Sequence, residues 1–265
     1  MISARDIHLK RGGASILCGL DFDLRGGEFV ALLGPNGAGK SSLRKVLTGE
    51  WTDYTGGVRV DDVPLSEWSP RDLARRRAVL PQEPRLTFPF TVNEVVELGR
   101  LPWQDELRPE ADRTAVADAL EEVGLTGFAE RLYPTLSGGE KQRVHLARVL
   151  AQIDPRALTD LLRRERTRYL FLDEPTNNLD LAGRHTCLRL ARRAADQGIG
   201  VFAILHDPND ALAYADRVML LQKGALVALG PTGEVLTEEA VSRLFGVALR
   251  LDSTSDGSPS VFRPA

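Results

Sequence analysis

Three observations predict an α/β fold with an inserted helical region. The runs "FVALLG", "YLFLDEP" and "GVFAILHD" are short and continuously apolar, the pattern of strands buried on both faces. A helical segment follows each of them before the next strand. Between about Glu83 and Gln152 the apolar spacing turns helical, which marks an insertion in the α/β core.

The elements follow in order. "DIHLK" and "SILCGLDFDL" alternate partly and predict the opening strands. "FVALLG" predicts a buried strand, with a helix starting near Lys40 after a glycine-rich loop. "GGVRVDDVPL" predicts another strand after a turn at Gly56 and Gly57. "TVNEVVELGRL" and "RTAVADALEEVGL" predict helices, and a long helix follows Ser137. "RYLFLDEP" and "GVFAILHD" return to strand, and "RVMLLQKGALVALG" predicts a hairpin. "SDGSPS" predicts a loose tail. No internal repeat interrupts this order.

The 265 residues suffice for one large domain, and 43% hydrophobic with 27% charged residues is an ordinary globular balance. A net charge of −3 gives no electrostatic reason to expect nucleic acid as a partner. Cys18 and Cys187 form no disulfide framework or metal spacing, which fits a reducing compartment. No apolar run approaches the roughly 18–20 residues that span a bilayer. The charged start "MISARDIHLK" lacks a signal-peptide core, so a soluble cytoplasmic protein is expected, one able to work on a membrane partner.

"GPNGAGKS", Gly34 to Ser41, fits the pattern G-x-x-x-x-G-K-[ST] between a buried strand and a helix. Its glycines let backbone N–H groups surround phosphate oxygens, and the helix N-terminus favours negative charge. Lys40 is expected to reach the β- and γ-phosphates, and the Ser41 hydroxyl to bind Mg²⁺. Asp173 and Glu174 end a buried strand at the sheet edge where α/β folds bind ligands. Alone, two adjacent acids serve equally as a helix cap; downstream of a phosphate loop they read as chemistry. Asp173 is then expected to hold Mg²⁺ through water, and Glu174 to orient or deprotonate the attacking water. In "LSGGEKQRVHLARVL", Ser137 and Glu140 have capping-box spacing. Capping asks for no glycines, however, and Gly138 with Gly139 costs up to about 2 kcal/mol in a helix. That cost suggests a ligand approaching the backbone.

With these motifs in this order, from about Ile2 to Phe245, the chain resembles the ATP-binding subunits of ABC transporters. The resemblance implies one nucleotide-binding domain of the P-loop NTPase class with an N-terminal antiparallel β subdomain. Residues 1–82 and 153–245 are expected as the ATP-binding core, 83–152 as the helical subdomain and 246–265 as a C-terminal tail. ATP is expected on Gly34, Pro35, Asn36, Gly37, Ala38, Gly39, Lys40, Ser41 and Ser42. Leu136–Glu140 looks like the family's signature, whose Ser137, Gly138, Gly139 and Glu140 act on ATP held by a second copy. Two phosphate loops in one chain thus imply a head-to-tail dimer sharing two ATPs. Gln82 looks like the glutamine that contacts Mg²⁺ and the attacking water, and His206 like the switch histidine at the γ-phosphate. Asp180 matches the acid of the loop that crosses the dimer. Implied partners are a transmembrane permease dimer and, indirectly, a periplasmic substrate-binding protein, at the cytoplasmic face of the bacterial inner membrane.

Three features depart from the family pattern. "LKRGGASIL" has no aromatic residue for adenine, leaving Arg11 as a stacking candidate. Asn177 and Asn178 replace small residues before the crossing loop, which predicts altered communication across the dimer. "QIDPRALTDLLRRERTR" is roughly a dozen residues longer than the usual link. "VVELGRLPW", "RRRAVLPQ" and "GEVLTEEAVSRLFGV" resemble importers of iron chelates, haem and cobalamin, and "ARVLAQ" with its longer sequel resembles haem importers. The alternatives are a ferric-siderophore or cobalamin importer, or a soluble ABC ATPase outside transport.

Overall fold

The computed structural model describes residues 1–82, 86, 88–106, 109–154, 167–177, 179–252 and 261–265. The strands are β1 (Ile2–Arg11), β2 (Ala14–Leu24), β3 (Phe29–Leu33), β4 (Thr55–Val60), β5 (Val63–Pro64), β6 (Arg77–Leu80), β7 (Tyr169–Asp173), β8 (Gly200–Ile204), β9 (Arg217–Gln222), β10 (Ala225–Pro231), β11 (Leu249–Asp252) and β12 (Val261–Pro264). The helices are α1 (Lys40–Leu47), α2 (Pro70–Arg76), α3 (Val92–Glu97), α4 (Pro109–Glu122), α5 (Gly138–Ile153), α6 (Leu181–Asp196), α7 (Pro208–Tyr214), α8 (Thr232–Val235) and α9 (Glu238–Phe245).

β10-β9-β3-β8-β7-β6 form the central sheet, parallel from β9 to β6, with β10 antiparallel at one edge. β3, β7 and β8 are buried at every position, because their two faces feed two different cores. Phe29, Ala31 and Leu33 join the core beneath the helices, while Val30 and Leu32 face α1 and the second sheet. This explains the uninterrupted apolar runs: alternation disappears when neither face meets water. The second sheet, β2-β1-β4-β5, is antiparallel and packs its apolar residues Ile2, Ile7, Leu20 and Phe22 into that latter core. An α/β core, an antiparallel β subdomain and inserted helices are therefore all present.

The inserted helices bury stripes rather than whole circumferences. On α4 the buried residues are Ala115, Val116, Ala119 and Leu120, one helical face. Gly99, in the 3₁₀ stretch Leu98–Glu106 after α3, lies so close to α5 that a β-carbon there meets the Arg148 carbonyl at 2.3 Å. A glycine is required for that crossing. Trp103 is buried and donates its ring N–H to Gln152 O at 3.0 Å.

Gly56 and Gly57 lie inside β4 rather than in a turn before it. Gly56 has φ +95°, and any β-carbon there lies 2.2 Å from the Asp6 carbonyl, at the pairing irregularity between Arg5 and His8. Residues 246–265, expected as a tail, carry the β11–β12 hairpin. Phe262 is buried, and its backbone pairs with the Asn209 side-chain amide on α7. "SDGSPS" itself, Asn178 and the centre of the long link lie outside the described residues. No helix among the described residues is long and apolar enough to cross a membrane.

Candidate active site

The loop between β3 and α1 is shaped by backbone proximity. A β-carbon at Gly34 meets the Leu221 carbonyl at 2.2 Å, and Gly39, the N-cap of α1, has φ +101°. No side chain caps α1 at Gly39, so the first amides of the helix have no side-chain partner there. Lys40 folds back into this loop, donating to Gly34 O at 2.7 Å and Pro35 O at 3.1 Å. Burial pulls its ammonium below the ordinary lysine range, while the Glu174 and Asp173 carboxylates oppose that shift.

Across from it, Asp173 accepts from Ser41 Oγ at 3.2 Å and from Arg44 Nε at 2.9 Å. Burial pushes the Asp173 carboxyl up, and Arg44 and the Ser41 hydroxyl pull it back. Arg44, almost wholly buried, also pairs with Glu50 and so holds Asp173 in register with α1. A hydroxyl and one carboxylate at this spacing have the chemistry to share a hard divalent cation with phosphate oxygens. Among the described residues no group of three or more His, Cys, Asp or Glu forms a self-sufficient metal cage.

Glu174 is where the strand-edge cluster converges. Its backbone is left-handed, φ +51°, an uncommon conformation for a residue with a side chain. Oε1 lies 2.7 Å from His206 Nε2, and Oε2 accepts from Gln82 Nε2 and, at 2.6 Å, from Asn177 Nδ2. Gln82 follows β6, Glu174 follows β7, and His206 follows β8 by two residues, so three adjacent parallel strands deliver three side chains to one edge. The structure thus brings Lys40, Ser41, Asp173, Glu174, Gln82 and His206 to one edge of the sheet.

Ser137 to Glu140 stands apart from that cluster. The capping box forms: Glu140 N donates to Ser137 Oγ at 3.3 Å, and Ser137 N donates to Glu140 Oε2 at 2.7 Å. Those hydrogen bonds hold the Glu140 carboxyl below its usual range. Ser137 and Gly138 remain exposed. Ser137, Gly139, Glu140, Asp180 and Gly183 line an open groove of about 560 Å³ that also takes in Arg143 and Arg189. Asp180 caps α6, accepting from Gly183 N at 2.8 Å.

Sequence reasoning did not single out Arg44, Asn177's hold on Glu174, or Gln142. Gln142, on the second turn of α5, donates to Pro175 O at 3.2 Å and ties the Ser137 helix to the Glu174 loop. In the sequence, Asn177 stands out only as an unusual residue before the crossing loop. Arg11, the stacking candidate for adenine, instead lies over Trp51 at 4.3 Å and pairs with Asp53 at 2.7 Å.

The family model described as ABC transporter matches residues 17–177. The chain is 44% identical over 245 residues to the hemin import ATP-binding protein HmuV of Rhodococcus jostii, covering 92% of this chain and 80% of that protein. It is 47% identical over 247 residues to the protein of the same name from Bordetella pertussis, covering 93% and 92%. Among solved structures, an inward-facing metal-chelate type ABC transporter superposes with a TM-score of 0.78 at 27% identity, over 100% of this chain and 96% of the other. A dimeric bacterial ABC transporter cassette superposes at 0.73 with 25% identity, over 88% and 99%.

Proposed function

The chain belongs to the ABC transporter family, and from that premise we propose that it is the ATP-hydrolysing subunit of a bacterial haem importer. It works at the cytoplasmic face of the inner membrane on a transmembrane permease that a periplasmic binding protein loads. Haem as cargo is supported by 44–47% identity to hemin import subunits over nine-tenths of the chain. The hydrolytic role rests on one observation above all: Glu174 is held by Gln82, Asn177 and His206 beside the Lys40 loop.

Phosphoryl transfer needs positioning and charge stabilisation more than covalent help from the protein. Gly34 to Ser42 supply the amides and the Lys40 charge for the phosphates. Ser41, Gln82 and Asp173, the last through water, are the residues for Mg²⁺, which when bound neutralises charge on the β- and γ-phosphates. Glu174 orients the attacking water and takes its proton, and His206 supports the γ-phosphate from the neighbouring strand. A second copy, docked head to tail, places its Ser137, Gly138, Gly139 and Glu140 on the same ATP, with Asp180 crossing between them. Closure of that pair drives the permease through residues 83–152.

The deciding experiment is reconstitution with the permease in liposomes, measuring ATP hydrolysis with binding protein carrying haem, ferric siderophore or cobalamin. Stimulation by the haem-loaded protein alone is expected. Stimulation only by another ligand replaces the cargo and keeps the mechanism, whereas no association with a permease refutes the transport role.

A further inference from the structure

Asp180 and His206 belong to different loops, yet one side chain joins their supports. Asp180 caps α6, and in the first turn of that helix Arg184 N donates to Asp180 O at 2.9 Å. The Arg184 guanidinium then leaves α6 and spans both acids at the start of α7. Its Nε lies 3.0 and 2.9 Å from the two Asp210 oxygens, and its Nη2 lies 2.5 Å from Asp207 Oδ2. Asp207 directly follows His206 and caps α7 by accepting from Asn209 N at 2.8 Å.

Both acids are partly shielded, with side-chain exposures of 35% for Asp207 and 12% for Asp210. Two carboxylates that close repel each other unless a cation sits between them, and a planar guanidinium can serve both at once. Burial pushes the Asp210 carboxyl up while Arg184 draws it back. A second contact, Tyr214 with His185, joins the far end of α7 to α6. Both ends of α7 are therefore pinned to the start of α6, and the pin nearer the chemistry is Arg184.

We propose that Arg184 is a positioning residue that couples the crossing loop at Asp180 to the switch histidine His206. Displacement of the Asp180 turn on dimer closure moves the guanidinium. Asp207 follows it, and the His206 side chain shifts relative to Glu174, 2.7 Å away. Each ATP site thereby responds to its partner copy without a new contact to nucleotide. The assignment rests on reading Asp180 as the acid that crosses the dimer, so its test must separate the two.

The test is a double-mutant cycle in the full chain bound to its permease: Arg184→Gln, Asp180→Asn and the pair, with kcat and KM for ATP. Arg184→Gln is expected to lower kcat on the order of tenfold, with KM nearly unchanged because the phosphate loop is untouched. The double variant is expected to fall no further than the worse single variant. Arg184→Lys, a point charge that serves one acid at a time, is expected to lie between wild type and Arg184→Gln. If Asp180→Asn alone leaves kcat unchanged, the reading of Asp180 fails and the coupling with it. If Asp180→Asn is impaired but the two losses multiply, only the coupling is overturned. A loss in Arg184→Gln that tracks a lowered Tm, with full activity in Arg184→Lys, reduces Arg184 to a structural charge and overturns it too.

Discussion

The hydroxyl of Ser137 accepts from the Glu140 amide and still has its own proton to donate. Capping and phosphate binding therefore do not compete, and substitution can separate them. Ser137→Ala is expected to lose roughly 1 kcal/mol of stability together with ATP turnover. Ser137→Asp keeps an acceptor for the cap, so its stability should stay near wild type. It brings negative charge and no donor to the phosphate, so its turnover should be lost. Thermal denaturation and hydrolysis rates on both variants check this, and normal turnover in Ser137→Asp makes Ser137 a cap and nothing more. At the same scale, Arg44 was hard to read from sequence because its partner Asp173 lies 129 residues away. Asn177 was visible as an oddity, but only folding brings its amide onto Glu174.

At the scale of one element, α5 carries a buried histidine with no place in the chemistry. His145 is fully buried, its Nε2 pairs with the Tyr133 hydroxyl at 2.8 Å, and its Nδ1 has no hydrogen-bond partner among the described residues. Burial, aided by Arg148, lowers its pKa from 6.5 to about 3. The unfolded chain therefore binds the proton first. As pH falls below about 6.5 the unfolded state gains, and stability declines by about 1.4 kcal/mol per pH unit until the folded histidine titrates near 3. His145→Gln retains a polar partner for Tyr133 and cannot titrate, so its stability should lose that component of the slope. Denaturant titrations from pH 7 to 4 test this, and parallel slopes in the two proteins refute it. Elements whose signal is local were legible. The capping box of α5 and the wholly apolar β3, β7 and β8 declare themselves within a few residues. β6 does not: "RAVL" opens on an arginine and is a strand because β7 pairs with it, Arg77 opposite Tyr169. The hairpin β11–β12 was missed for a similar reason, since its stability comes from Phe262 packing into the helical core and from Asn209.

For the whole molecule, the placement of the Lys40 loop and the Ser137 turn bears on the proposed assembly. The two belong to different clusters, which supports the proposed head-to-tail pair, in which each completed site takes one from each of two copies. Glu174→Gln should bind ATP and close but hydrolyse little, so that with ATP it elutes from a sizing column as a dimer while the wild type with ADP does not. Rapid hydrolysis by that variant removes Glu174 from its assigned role. The helical insertion shares one continuous apolar core with a face of the central sheet, from Val95 and Leu120 to Leu172 and Ala203. In the proposed importer, movement of the helical insertion would strain the sheet side of that core and so link hydrolysis to the permease.

The left-handed backbone at Glu174 has a consequence for how such a chain evolves. A non-glycine residue in that conformation costs of order 1 kcal/mol, and the acid is also buried. Glu174→Gly relieves both burdens at once. A library screened for heat resistance alone should therefore enrich inactive chains at this position, and selection for uptake must continually work against that drift.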